Sequence, residues 1–102
     1  MITDVVSKPV YQILNSLTGE PRVEVALPLA LKELVRLKLQ EAVHQRVSFE
    51  ERYKMDFATF KMQWSDQQDD QSDSYVAEQD FWEWEAAVTD EDAYREMLSK
   101  LP

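Results

Sequence analysis

The stretch that most limits how this chain can fold is LALKELVRLKLQEAVHQRVSFEERYK, residues 29–54. At about 100° per residue, Leu31, Leu34, Val35, Leu39, Ala42, Phe49 and Tyr53 fall on a common side. Ser48 and Glu51 have the spacing of a capping box, which would start a new helix there. Phe49 and Tyr53 nevertheless continue the earlier stripe without a phase jump, which favours one helix. About 25 residues at ~1.5 Å each span nearly 40 Å. The whole chain has 102 residues, and a compact domain of that size has a radius of gyration of about 13 Å. Such a helix must protrude. Ala30, Leu37 and Val43 widen its apolar arc beyond the usual stripe, so it calls for two neighbours rather than one.

Upstream, Val6, Val10, Ile13, Leu14 and Leu17 recur at helical spacing, with Ser7 placed to cap, Pro9 early and Gly19 just past the end. A short helix over Lys8–Leu17 is expected within an N-terminal segment, residues 1–21. The following PRVEVALP alternates: Val23, Val25 and Leu27 fall on one face, Glu24 and Ala26 on the other, between Pro21 and Pro28. This reads as a short strand, and a lone strand needs a mate. The same strand of a second chain would supply one. A strand- or helix-mediated dimer is therefore expected, built on Val23, Val25, Leu27, Leu31, Leu34, Val35 and Leu37.

YKMDFATFKMQW carries a helix start at Asp56, with Met55 and Phe60 at the positions of a hydrophobic staple. Phe57, Phe60 and Trp64 share one side of a short helix. Residues 66–74 are polar and acidic and read as a loop. They lack the turn glycine and bidentate Glu of a calcium loop, so no metal site is expected. In the final segment, residues 75–102, Ala77, Phe81, Trp84 and Val88 form a core face. Tyr75 and Trp82 lie on a different side with Ala86, flanked by Glu78 and Glu85 and next to Glu83. Nothing in the pattern of one chain requires them there, and they form either a second buried contact or a surface kept for a partner. Tyr94, Met97, Leu98 and Leu101 form a stripe turned away from Phe81 and Trp84, and Thr89 with Asp92 has capping-box spacing. A break near Thr89 and a last helix over Asp90–Lys100 follow. The expected fold is one mostly α domain: a short N-terminal strand, a long helix, then two or three shorter helices.

Charge divides the chain. Residues 1–65 carry nine basic and eight acidic side chains, and residues 66–102 carry two and twelve. A balance of −10 in the last third points away from nucleic acid there and suits a basic partner or a solvated surface. Ribbon-helix-helix proteins also place a strand before a helix, but the outward residues here would be Glu24 and Ala26. DNA binding is thus the weaker reading of the N-terminal half. Cysteine is absent, which excludes disulfides, thiolate metal sites and a thiol nucleophile. His44 is the sole imidazole and lies off the apolar stripe, no nucleophile elbow is present, and Glu83 and Glu85 point apart on a helix. The expectation is a protein without enzymatic activity or cofactor. The start MITDVVSKPVYQIL lacks a signal peptide's pattern, and the segment around residues 23–43 is broken by Lys32, Glu33, Arg36 and Lys38. A cytoplasmic protein with no membrane span is expected.

VEVALPLALKELVRLKL, ERYKMDFATFKMQW and DFWEWEAAVTDEDAYREML, taken in order, resemble a group of small bacterial and archaeal antitoxins. These are partners of TumE-type toxins in toxin–antitoxin pairs. The resemblance covers residues 22–98, and one departure is Lys54, where the group's pattern has a glycine before the methionine. It implies a non-enzymatic protein that binds and neutralises a basic toxin, here through Tyr75, Glu78, Trp82, Glu83, Glu85 and Ala86. A structural or adaptor protein whose acids merely solvate it is the alternative, with an acidic mimic of nucleic acid as a further one.

Overall fold

The structure is a computed structural model that describes residues 6–66 and 74–102. Those residues form four helices: α1 Lys8–Thr18, α2 Val23–Tyr53, α3 Phe57–Asp66 and α4 Ser74–Lys100. The expected loop over residues 66–74 lies almost wholly outside the described residues. The radius of gyration is 19.8 Å and the extents are 58 × 22 × 22 Å, so the molecule is a rod set by its longest helix.

Each end of α1 follows from its sequence. The Ser7 side chain accepts a hydrogen bond from the Val10 amide, Pro9 sits in the first turn, and Gly19 closes the helix at φ 72°. The N–H of Gly19 bonds back to the Asn15 carbonyl. A tight connection then reverses the chain, held by the Tyr11 hydroxyl donating to the Pro21 carbonyl at 2.6 Å.

The expected strand at Val23–Leu27 is not formed: these residues are the first turns of α2. Val23 and Ala26, three apart, are buried, a helical spacing that the alternation concealed. The physical reason is backbone accounting. A lone strand would leave its N–H and C=O groups unpaired, whereas a helix satisfies them within the segment. Pro28 lies inside α2, where it removes one bond to the Glu24 carbonyl. With no strand, the strand-paired route to a dimer is removed.

From Pro28 onward α2 is continuous through Ser48, as its stripe requires, and ends at Lys54 with φ 58°. The residue that departs from the resembled pattern thus occupies the left-handed conformation that glycine adopts without strain. Asp56 then opens α3, its Oδ1 accepting from the Thr59 amide at 2.9 Å.

The predicted break at Thr89 is absent: α4 runs unbroken from Ser74 to Lys100. α2 and α4 pack antiparallel, with Arg52 meeting Asp80, Arg46 meeting Glu91, and the Lys32 ammonium reaching the Pro102 carbonyl. Ala77, Asp80, Phe81, Trp84, Ala87, Val88, Glu91, Tyr94 and Leu98 of α4 are buried or half-buried and recur at helical spacing along its length. Glu91 fills the step that a purely apolar reading leaves empty, so the two stripes join without a break.

Glu91 is buried and receives Arg46 Nε at 2.6 Å and Arg95 Nη2 at 2.8 Å, while Arg46 also holds Glu50 at 2.8 Å. The bonds from Arg95 and then Arg46 hold the Glu91 carboxyl below its ordinary value of 4.5. The unfolded chain therefore binds the proton more readily. The stability this group confers is complete above about pH 4.5 and is lost as pH falls through the lower folded value. Glu91→Gln is expected to lower the thermal midpoint at pH 7 and flatten its acid dependence below that value, read by circular dichroism across a pH series.

Candidate functional site

An aromatic core gathers where α3 folds over the α2–α4 pair. Phe49, Phe60, Phe81 and Trp84 are buried, and Tyr53, Met55, Phe57, Trp64 and Val88 pack around them. Trp84 is 0 % exposed and lies 5.6 Å from the rings of Phe49 and Tyr53, nearly parallel to both, and 5.0 Å from Phe60. Its indole N–H finds no hydrogen-bond acceptor among the described residues.

One polar lock borders this cluster. Buried Asp80 accepts from the Tyr53 hydroxyl at 2.5 Å and from Arg52 Nη1 at 2.9 Å, and Arg52 lies over the Phe49 ring. Burial first, and the bond to Asp80 second, push the Tyr53 phenol up to about 12. This is a structural carboxylate, already spent on two donors from α2. Sequence reading overlooked both Asp80 and Glu91 as seam residues. The signal was available: each stands three or four places from an apolar seam position, with an arginine on α2 to receive it.

The outer side of α4 differs in kind. Tyr75 is 79 % exposed and Trp82 is 58 % exposed, seven residues apart and therefore about 10 Å along one side of the helix. Trp82 is not loose: its ring meets that of Phe81 edge to face at 5.2 Å, so the core supports it from below. Glu78, Glu83 and Ala86 are exposed, while Glu85 is half-buried and lies 3.8 Å from Lys61 of α3. Of the residues singled out for a partner, Tyr75, Glu78, Trp82, Glu85 and Ala86 share this side, and Glu83 stands next to Trp82. An exposed, propped indole among carboxylates offers a ring face to a cation and acceptors to its N–H donors.

The residues considered for a dimer are dispersed. Val23 is buried within the chain, Val25 and Val35 are half-buried, and Leu27, Leu31, Leu34 and Leu37 are exposed. His44 is exposed on α2 and lines an open, mainly apolar groove of about 430 Å³ with Leu39, Gln40, Val43, Val47 and Arg95. Among the described residues no group of three metal-ligating side chains converges, and no helix is long and apolar enough to cross a membrane.

Fold and site together define a helical-hairpin protein with an acidic, aromatic outer surface. Comparison with family models, with curated proteins and with solved structures finds no match for the chain.

Proposed function

We propose that this chain is a non-enzymatic binding protein of antitoxin type, which neutralises a small basic protein through the outer side of α4 and works as a homodimer in the cytoplasm. The observation that carries the reading is the contrast between two tryptophans two residues apart. Trp84 is sealed in the core, while Trp82 stands in solvent among carboxylates. Exposing an indole forgoes the stabilisation that its burial would bring, and tryptophan and tyrosine are the residues that most often anchor interfaces. The −10 balance of residues 66–102 supplies attraction for a cationic surface. The resemblance to antitoxins points the same way, independently of the geometry.

The test is genetic and physical. A small basic protein is expected to be encoded beside this chain and to arrest growth when expressed alone, and co-expression of this chain is expected to relieve the arrest. The purified pair should bind more weakly as salt rises, since attraction by exposed charge is screened over roughly 8–10 Å. A neighbour that is harmless, or a complex indifferent to salt, would remove the antitoxin reading. It would leave an adaptor whose acids serve solvation.

A further inference from the structure

α1 is a strongly two-sided helix, and among the described residues nothing covers the outer part of its apolar side. Its contact with α2 uses the half-buried Tyr11, Leu14, Asn15 and Thr18. Val10, Ile13 and Leu17, at i, i+3 and i+7, are instead 54 %, 59 % and 78 % exposed, and no residue of α1 is buried. An isolated helix of 11 residues is marginal in water, and most helical stability in proteins comes from packing an apolar face. The chain as a whole shows the same shortfall. Its accessible surface is 7613 Å², against about 6,000 Å² for a compact monomer of 12.0 kDa. The excess of about 1,600 Å² exceeds the ~800 Å² that each partner contributes to a standard stable interface.

Charge identifies the occupant. Lys8 is the one formal charge on α1, so two copies of this face can meet without repulsion. The exposed aromatic surface around Trp82 is instead crowded with Glu78, Glu83 and Glu85, and two copies of it would repel. We infer that the outer stripe of α1, Val10, Ile13 and Leu17, docks on a second copy of this chain in a two-fold dimer, leaving α4 free for the basic partner. In such an isologous contact each stripe meets its own mate. The exposed leucines of the first half of α2 lie at the same end of the rod and extend the contact. This rests on the homodimer in the proposed function and on no property of the toxin partner.

Sedimentation equilibrium of the full chain at micromolar concentration is expected to give twice 12.0 kDa. Ile13→Glu combined with Leu17→Glu should give the monomer mass with helical circular dichroism retained, because both side chains already face solvent within one chain. As the chain has no cysteine, Leu17→Cys provides a second route: a short bis-maleimide should join two copies through this residue. A monomeric natural chain would overturn the dimer and its surface together. A dimer that survives the double substitution and resists cross-linking at Leu17 would overturn the α1 surface alone. Binding of the basic partner, measured separately, is expected to be unchanged by either α1 variant.

Discussion

Trp84→Ala is expected to destabilise the fold by roughly 3–5 kcal/mol, the cost of removing a large aromatic from a closed core. The size of the effect follows from position. Among the described residues Trp84 is the one large side chain sealed from solvent, and it touches aromatic rings from α2 and α3 at once. Few residues of this elongated chain are buried at all, so the neighbouring core has little else with which to fill the void. A denaturant titration followed by circular dichroism measures the loss. A change below about 1 kcal/mol would mean that α3 does not close over α4 as described.

Much of this architecture was legible beforehand because it depends on local signals. Ser7, Pro9 and Gly19 delimit α1, Asp56 opens α3, and the unbroken phase from Val35 to Tyr53 marks one long helix. The separation of Phe81 and Trp84 from Trp82 followed from the same periodicity. What escaped was long-range. Val23–Leu27 satisfies a two-residue and a three-to-four-residue spacing equally, and the decision rests on the absence of a strand to pair with among the described residues. Glu91, buried in the middle of α4, is held by Arg95 four residues on and also by Arg46, forty-five positions away, and the second partner lies in no local window. The exposure of Val10, Ile13 and Leu17 was hidden for a related reason. Their spacing announces an apolar face, but the reversal at Gly19–Arg22 decides which side of α1 meets α2.

Trp82→Ala is expected to leave the thermal midpoint almost unchanged and to weaken binding of the basic partner by about thirtyfold or more. Its ring is 58 % exposed and meets the Phe81 ring edge to face, so truncation opens no closed cavity. Aromatic anchors that become buried at an interface commonly account for 2 kcal/mol or more, which corresponds to that loss of affinity. Calorimetric titration of both proteins gives the ratio. Equal affinities would place the partner elsewhere, and a fall in stability as large as that of Trp84→Ala would assign both tryptophans to the core.

The most direct measurement of where the partner binds is the set of tryptophan indole N–H signals in a nitrogen–proton correlation spectrum. The chain has three tryptophans, Trp64, Trp82 and Trp84, and hence three such signals. On addition of the basic partner, the Trp82 signal is expected to shift or broaden together with the amides of Tyr75, Glu78 and Glu85. The Trp84 signal and the amides of Val10, Ile13 and Leu17 should stay in place. A stationary Trp82 signal, with changes gathered instead along α1 or around His44, would contradict the account.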